Sequence, residues 1–218
     1  MEDSTSREKI LKKVRKALIN QSTYEIGNVD FDSEIYHKPT ESYEVLFAQN
    51  FSALNGKFIF CESEAEFSEN IKALVEENKW SNITCLESNI QQLLTNAAVP
   101  YISSSTQMDE TDIGITSCEC LVARLGSIYI SSKQQAGRRL PVFANIHIVV
   151  AYTSQLVYHI KDALKLIKNK YPNSIPSMIA SIAGPSRTAD IEKTLVQGAH
   201  GPKDIYCFLI DDYNVDKK

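Results

Sequence analysis

The stretch FIFCESEAEFSENIKALVEENKWSNITCLE, residues 58–87, decides the predicted fold. It opens with the apolar run 58–61, which suits a buried strand. Ser63 and Glu66 then have the spacing of a capping box, and the helix that follows places four apolar side chains on one face: Phe67, Ile71, Leu74 and Val75. The run 82–87 is a second strand. Strand, helix and strand in this order predict a βαβ crossover and a mainly parallel sheet.

The same alternation continues on both sides of this stretch. Further helices are predicted at 40–56, from Ser88 onward, across Leu156, Ile160, Leu164 and Ile167, and at 189–198. Strands are predicted at five more places: 112–117, 121–132, 145–152, 177–184 and 204–211. Gly126 inside one of these runs indicates a bend or a close backbone approach. The pattern predicts one α/β domain with helices on the faces of its sheet.

The first 39 residues differ from the rest of the chain. Thr5 and Glu8 form another capping box, before a helix with a basic face and an apolar face of Ile10, Leu11, Val14, Ala17 and Leu18. Residues 20–39 lack periodicity and are predicted to be a connecting arm. We therefore divide the chain into an N-terminal helix and arm, residues 1–39, and an α/β domain, residues 40–218. The helix is interpreted as a docking arm; a membrane surface or an acidic partner is the alternative.

Composition excludes several classes of protein. The 218 residues are 43% hydrophobic and 23% charged, as is typical of a globular domain. A net charge of −4 creates no overall basic field for nucleic acid. No apolar run approaches the roughly 20 residues that span a bilayer, and no secretory signal is visible. We expect a cytoplasmic protein without a nucleic-acid partner or a transmembrane segment.

Five cysteines bear on the question of cofactors. Cys61, Cys85 and Cys207 lie in apolar runs, where a free thiol commonly packs as a small apolar group. Cys118 and Cys120 are separated by one residue, unlike the C-x-x-C spacing of many zinc and cluster sites. We therefore predict no metal site and no cofactor of the protein's own.

The segment GPSRTADIEKT, residues 184–194, is the first candidate site. Ser186, Arg187 and Thr188 stand where the predicted helix 189–198 would begin. Amides at a helix N-terminus and an adjacent guanidinium favour a phosphate or a carboxylate. In the alternative, a hydroxyl only caps the helix and Arg187 pairs with a carboxylate such as Asp190.

Two loops supply further candidates for anion binding. In GAHGPKD, residues 198–204, His200 and Lys203 precede the last predicted strand, although a lone loop histidine is more often an ordinary surface group. In KQQAGRRLP, residues 133–141, Gly137 precedes Arg138 and Arg139, which together suit an anion-grasping loop. Glu119 and Arg124 either line a site or form an ion pair with each other. Glycine-rich phosphate loops and nucleophile-elbow motifs are absent from the sequence.

Four blocks in order resemble one family. They are GITSCECLVARLGSIYISS (114–132), IHIVV (146–150), GPSRTADIE (184–192) and LVQGAHGPKDIYCFLID (195–211). Their order and spacing are similar to those of the LUD-domain family, of the lactate-utilization protein C (LutC, or YkgG) type. The family-motif positions in this chain are Gly184, Pro185, Ser186, Arg187, Thr188, Ala189, Asp190, Glu192, His200, Gly201 and Pro202.

This resemblance implies a fold and a role. The implied fold is a three-layer α/β/α arrangement with a mainly parallel central sheet, like that of the glucosamine-phosphate isomerase, ribose-phosphate isomerase and CoA-transferase group (NagB/RpiA/CoA transferase-like). The implied role is accessory: a subunit in the oxidation of L-lactate to pyruvate, alongside the iron–sulfur lactate-utilization proteins A and B, which would carry the clusters. The family supplies no settled catalytic residue for transfer.

One segment departs from the family pattern. Many members read roughly A-E-T-G-T where this chain has Ala123, Arg124, Leu125, Gly126 and Ser127, so a cation replaces an acidic residue. We expect a non-catalytic, LutC-like component of a lactate-oxidising system. The alternative is an enzyme or sensor for a small phosphorylated, carboxylate or CoA-type ligand, and a third hypothesis is a membrane-surface adaptor. Homo-oligomerisation is left open.

Overall fold

The computed structural model describes residues 5–19, 39–104, 106, 111–189, 195–198 and 200–213. The chain divides into two units, residues 1–38 and residues 39–218. In the first unit, helix α1 covers Ser6–Ile19. The Thr5 amide donates to Glu8 Oε2 at 3.0 Å and the Glu8 amide donates to Thr5 Oγ1 at 3.4 Å, so the predicted capping box is confirmed. The predicted arm at 20–39 lies almost entirely outside the described residues.

The second unit alternates strands and helices. Its helices are α2 (Tyr43–Ala53), α3 (Glu64–Glu77), α4 (Ser88–Asn96), α5 (Leu140–Phe143) and α6 (Ile160–Lys170). Its strands are β1 (Lys57–Cys61), β2 (Ile83–Cys85), β3 (Ile113–Thr116), β4 (Cys120–Val122), β5 (Ser127–Ser131), β6 (Ile146–Tyr152), β7 (Leu156–Val157), β8 (Ile179–Ile182), β9 (Arg187–Ala189), β10 (Leu195–Gln197) and β11 (Asp204–Ile210). None of the helices in the described part of the chain has the length and apolar character needed to traverse a bilayer.

The central sheet has five parallel strands in the order β1-β11-β6-β3-β2. Strands β6 and β11 lie in its middle and are apolar along almost their whole length, as expected for strands covered on both faces. The predicted α/β fold with a mainly parallel central sheet is therefore confirmed.

Helices α3 and α4 cover one face of the central sheet. The Ser63 hydroxyl accepts a hydrogen bond from the Glu66 amide, so Ser63 is the N-cap of α3. The Glu66 carboxylate accepts from the Glu62 amide at 2.6 Å, one residue before the amide that a full capping box would use. Phe67 of α3 packs edge-on against Phe208 of β11, with ring centroids 5.2 Å apart. The core on this face includes Phe67, Ile71, Ile90, Leu94, Ile113, Ile115, Ile148 and Phe208.

The opposite face is covered by α2 and by a second, four-stranded sheet in the order β7-β4-β5-β8. Helix α6 packs on the far side of this second sheet. The predicted strand 121–132 is broken by a short 3₁₀ turn at Ala123–Leu125 and by Gly126, whose φ is +57°. A Cβ on Gly126 would lie 2.3 Å from the Phe51 backbone nitrogen, so the expected close backbone approach is confirmed.

Two predicted elements are wrong. The stretch 189–198 is predicted to be a helix, but its described parts are strands, and β9 pairs with β10 in an antiparallel arrangement. Helix α6 begins at Ile160 after the N-cap His159, whereas Leu156 lies in β7 and pairs with Leu121. In both places a short apolar pattern suits a helix or a strand equally, and the choice depends on pairing with a distant strand.

Candidate functional site

Polar groups gather where β2 and β3 end, a place that we call the β2–β3 corner. It consists of Glu87 after β2, Thr116 and Ser117 at the end of β3, His147 on the neighbouring strand β6, and the covering loop 132–139. In open α/β sheets, ligands usually bind beyond the carboxyl ends of the strands. The corner is therefore the first place to look for chemistry.

His147 is fully buried in the corner. Its Nε2 lies 2.9 Å from Thr116 Oγ1, and that hydroxyl donates its own hydrogen to the Ser117 carbonyl, also at 2.9 Å. Since the hydroxyl has one hydrogen only, it must accept from His147 Nε2–H. Burial lowers the pKa of His147 to about 4, so the ring is neutral at pH 7. Nδ1 is then a bare acceptor, and it has no hydrogen-bond partner among the described residues.

Glu87 is the second buried group of the corner. Its Oε2 accepts from the Ser117 amide at 3.1 Å, whereas Oε1 is buried without a hydrogen-bond partner in the described part of the chain. Burial raises the pKa of Glu87 despite the opposing effect of hydrogen bonds from Ser117 and from the Ala136 backbone, and the negative charge of Glu119 raises it further. The arrangement favours uptake of a proton by Glu87.

Glu119 lies nearby and is fully satisfied. It accepts from Ser131 Oγ at 2.5 Å and Tyr171 Oη at 3.0 Å, and Lys170 Nζ lies 2.7 Å away. The side chain of Glu119 is 0% exposed and that of Lys170 is 49% exposed. Glu119 therefore finds its cation on α6, and not in Arg124, the partner that one interpretation of the sequence favours. This carboxylate joins β5 to α6.

The loop 132–139 covers the corner. Gln134 accepts from the Ser131 amide at 2.8 Å and donates to Ser117 Oγ at 2.9 Å. Gln135 accepts from the Ser88 amide at 3.1 Å, which ties the loop to the start of α4. Ala136 is buried with Leu86 and Leu140. The loop is thus anchored to the ends of both β2 and β3.

Arg138 and Arg139 project from this loop and are exposed. Arg138 Nη2 donates to Ser177 Oγ at 2.5 Å, and the Arg139 guanidinium lies 4.9 Å from the centre of the Phe143 ring. The two guanidinium groups thus have different neighbours, as expected for adjacent residues.

The family-motif residues form a separate cluster. The Ser186 amide donates to the Pro202 carbonyl at 2.9 Å, and the Gly198 amide donates to the Ser186 carbonyl at 3.0 Å. Gly201 lies against Ser186, and the Lys203 side chain covers Gly198. We call this the motif cluster; it brings Ser186 and Lys203 into one neighbourhood, next to the exposed His200.

Gly184 and Arg187 attach the motif cluster to the end of α2. Arg187 Nη2 donates to the Leu54 carbonyl at 3.2 Å. Gly184 has φ +91°, and a Cβ there would lie 2.4 Å from the same carbonyl oxygen. Since Arg187 and Thr188 lie in β9, the predicted helix N-terminus does not exist at this place. Pro185 is partly buried, whereas Asp190 and Glu192 lie outside the described residues.

The candidate arginines do not converge. Ser177, which binds Arg138, precedes β8, whereas Gly184 follows the same strand. The four residues of β8 span about 13 Å, so Arg138 and the anchor of Arg187 lie at opposite ends of a strand. Anion binding by the motif cluster stays a prediction.

Sequence reasoning gave too little weight to Glu87 and His147. A signal was present in each case: Glu87 follows a predicted strand directly, and His147 is a polar residue inside the apolar run IHIVV. Among the described residues, no group of three or more His, Cys, Asp or Glu side chains has the geometry to hold a metal ion.

One family model matches the chain, and several curated proteins are similar to part of it. The LUD domain matches residues 101–210, just over half of the chain. Lactate utilization protein C of Bacillus subtilis is 32% identical over 106 residues, which is 48% of this chain and 44% of that protein. The protein of the same name in Shouchella clausii is 33% identical over 110 residues, 50% of this chain and 48% of that protein. These matches span less than half of the curated relatives.

One solved structure has a similar fold. It is a DUF162 family protein from Deinococcus radiodurans, with a TM-score of 0.55 and 17% sequence identity over 77% of this chain and 96% of that chain. This likeness supports the α/β fold.

Proposed function

The chain belongs to the LUD-domain family, and on that premise we propose that it is an accessory component of a cytoplasmic system that oxidises L-lactate to pyruvate. The observation that carries this proposal is the name lactate utilization protein C, borne by relatives 32–33% identical to about half of the chain. In this proposal the iron–sulfur lactate-utilization proteins A and B are its partners and carry the electrons.

The cysteines are consistent with clusters that reside in the partners. All five thiols are buried. Burial raises the pKa of Cys85 and of Cys120 to about 12, and it also raises the pKa of Cys118 and of Cys207 well above the ordinary value of a thiol. Iron binds the thiolate form, which these environments disfavour at neutral pH. This favours an accessory role over a redox role for the chain itself.

Gene deletion tests this proposal. We expect the deletion strain to grow on glucose but poorly on L-lactate, and growth to return when the gene is restored on a plasmid. A tagged copy expressed in the native host should also co-purify with proteins A and B. Normal growth of the deletion strain on L-lactate would contradict the lactate role, and a lactate defect without co-purification would contradict the accessory role.

A second candidate function is the binding of a small ligand at the β2–β3 corner. The observation that favours it is the pair of buried atoms without partners among the described residues, Glu87 Oε1 and His147 Nδ1. Nδ1 requires a donor, such as a hydroxyl group. The exposed Arg138 and Arg139 on the covering loop suit a carboxylate or a phosphate. The ligand class that we propose is therefore a small molecule with a hydroxyl and an anionic group.

Thermal unfolding tests the second candidate. The full-length protein is heated with L-lactate, phosphosugars, nucleotides or acyl-CoA, and a ligand at about 100 times its Kd should stabilise the fold by about 2.7 kcal/mol. Arg138→Ala should weaken this effect, whereas Lys161→Ala, which removes an exposed cation from α6, should not. The absence of any shift across these ligands would contradict the idea.

A further inference from the structure

Charge is distributed unevenly within the second unit. Residues 41–112, which include α2, α3 and α4, contain 12 acidic and three basic residues. Residues 118–182, which include the whole second sheet and α6, contain two acidic and eight basic residues, a net charge of +6. The net charge of −4 for the whole chain therefore conceals a basic layer on the side of the molecule where α6 packs on the second sheet.

Helix α6 presents three of these cations together. Ala163 and Ile167 are buried against the second sheet, whereas Lys161, Lys165 and Lys168 are exposed. The three lysines are spaced by four and by three residues, so they lie on one face of the helix. They form a row about 10 Å long, which we call the α6 lysine row.

The α6 lysine row has no ion pair with a carboxylate among the described residues. Asp162 lies three residues before Lys165, but its carboxylate accepts from the His159 amide at 3.2 Å and so caps the start of the helix. Glu119, the other acidic residue of this layer, is bonded to Lys170. Like charges three and four residues apart are unfavourable within a helix. The stability of α6 therefore does not explain the row.

A large apolar side chain lies among these lysines. Leu164 is 47% exposed, and it follows Lys161 by three residues and precedes Lys168 by four. An apolar centre with a polar, charged rim is the usual anatomy of a protein–protein interface. Because the buried face of α6 is fixed on the second sheet, the exposed face needs little ordering when a partner binds.

The basic surface continues past the end of α6. Lys133 Nζ donates to Ser174 Oγ at 3.2 Å and Arg138 Nη2 donates to Ser177 Oγ at 2.5 Å. Neither cation has an ion pair with a carboxylate among the described residues. Ile175, between the two serines, is 58% exposed. An exposed apolar side chain with cations close by thus occurs a second time, in the segment that follows α6.

We propose that α6 and the segment 171–177 bind an acidic surface of a partner protein. Leu164 fills an apolar recess of that surface, and carboxylates around the recess meet the α6 lysine row. Opposite charges of this kind speed the encounter of two proteins and fix their orientation. This proposal does not depend on the lactate role.

Two other anionic partners fit this surface less well. The phosphate backbone of a nucleic acid offers no apolar contact to Leu164, and the acidic stretch 41–112 repels it. A bilayer requires a wide apolar face on the helix that enters it. The apolar face of α6 is packed on the second sheet, and Leu164 is the one large hydrophobic residue that α6 exposes.

Two labelled peptides test the proposal. The probe is a fluorescein-labelled helical peptide with leucines on one face and glutamates on both sides of that face, and the reference peptide has glutamine in place of every glutamate. Fluorescence anisotropy follows their binding to the full-length protein. The acidic peptide should bind at least about tenfold more tightly than the reference at low salt. This difference should shrink as salt is added, because exposed charges are screened.

Point variants locate the binding surface. Lys165→Glu should weaken binding of the acidic peptide about threefold, and its combination with Lys161→Glu and Lys168→Glu should weaken it at least about tenfold. Leu164→Ser should weaken the binding of both peptides, as expected for an apolar anchor. The matched control is Lys72→Glu, which reverses an exposed lysine on α3 and should leave both affinities unchanged. All of these side chains are exposed, so the variants should keep the wild-type Tm.

Three outcomes would overturn the proposal. The first is that the acidic peptide does not bind at concentrations up to about 1 mM. The second is an equal loss of affinity in Lys165→Glu and Lys72→Glu, because net charge alone would then explain the binding. The third is tighter binding of a DNA duplex or of phosphatidylglycerol vesicles than of the acidic peptide, with a loss in Lys165→Glu, because the row would then serve a nucleic acid or a lipid surface.

Discussion

Glu87 and His147 both form hydrogen bonds to the dipeptide Thr116–Ser117 at the end of β3. Glu87 accepts from the Ser117 amide, and His147 donates to the Thr116 hydroxyl, which in turn donates to the Ser117 carbonyl. Two titratable side chains thus position the end of β3, and each keeps one buried atom without a partner in the described part of the chain. The free energy of unfolding should therefore change with pH as these two side chains gain or lose protons.

His147 should make the protein sensitive to acid. Its pKa is about 4 in the folded protein, against an ordinary value of 6.5 for histidine, so the unfolded chain takes up this proton first. The free energy of unfolding should fall by about 3 kcal/mol as pH drops from 6.5 to 4. Urea unfolding at a series of pH values measures this effect. Between pH 6.5 and pH 4, the free energy of unfolding of His147→Gln should fall by about 3 kcal/mol less than that of the wild type.

The control for this measurement is His200→Gln, which changes an exposed histidine and should keep the wild-type slope. An identical slope in the wild type and His147→Gln would contradict the assigned burial of the neutral ring.

Glu87 should act in the opposite direction. Its folded pKa lies above the ordinary value of 4.5, so the folded chain holds this proton more tightly than the unfolded chain. The stability contributed by protonated Glu87 is present below pH 4.5 and is lost as pH rises through the folded pKa. Glu87→Gln should therefore stabilise the protein at pH 7.

The difference in free energy of unfolding between Glu87→Gln and the wild type should disappear near pH 4. At that pH the wild-type carboxyl is largely protonated in both the folded and the unfolded state. Chemical denaturation at pH 4 and pH 7 measures this difference. Glu69→Gln on the exposed surface of α3 is the matched control and should have little effect at either pH. Destabilisation by Glu87→Gln at pH 7 would show that the carboxylate is needed in its ionised form.

Lys170 should stabilise the second sheet through Glu119. Lys170→Met removes the only cation that contacts this fully buried carboxylate among the described residues. Loss of one partner of a buried pair is strongly destabilising, and since Lys170 is half exposed we expect a cost of about 2–3 kcal/mol. Adding Glu119→Gln to Lys170→Met should recover part of this loss. Strictly additive effects in the double-mutant cycle would contradict the coupling.

Two glycines with similar backbone angles should respond very differently to alanine. Gly126 has φ +57° and Gly137 has φ +62°. A Cβ at Gly126 meets the backbone of Phe51 at 2.3 Å, whereas a Cβ at Gly137 meets nothing within 4 Å. Gly137→Ala should cost about 1 kcal/mol from the left-handed conformation alone. Gly126→Ala should cost about 3 kcal/mol or more, because α2 must also move. Thermal unfolding compares the two, and equal losses would contradict the close packing.

Local sequence signals predicted a large share of the fold. The predicted caps at Thr5 and Ser63 mark the starts of α1 and α3 correctly, since a cap depends on residues three positions apart. The apolar runs of β6 and β11 were identified because strands buried on both faces need apolar residues throughout. The resemblance of residues 114–211 led to the family that the LUD domain match supports.

Long-range pairing explains the errors. In the stretch 189–198 the spacing of apolar residues predicts a helix, but its described ends pair with each other as strands. The second sheet was not foreseen, because only β4 and β5 pair locally. Strands β7 and β8 join them across long stretches of chain, from Leu121 to Leu156 and from Ile128 to Ile182. Local patterns contain no information about which distant strand will accept the hydrogen bonds.

The sequence by itself determined the family, the parallel central sheet and the starts of α1 and α3, because these depend on periodicity, caps and a motif of consecutive residues. The tertiary structure decided which side chains meet. It placed Arg138 and Arg187 at opposite ends of β8, gave Lys170 to Glu119, and buried Glu87 and His147 around the end of β3. Charge, burial and hydrogen bonding act across a few ångströms of space, and proximity of that kind is created only when the strands and helices pack.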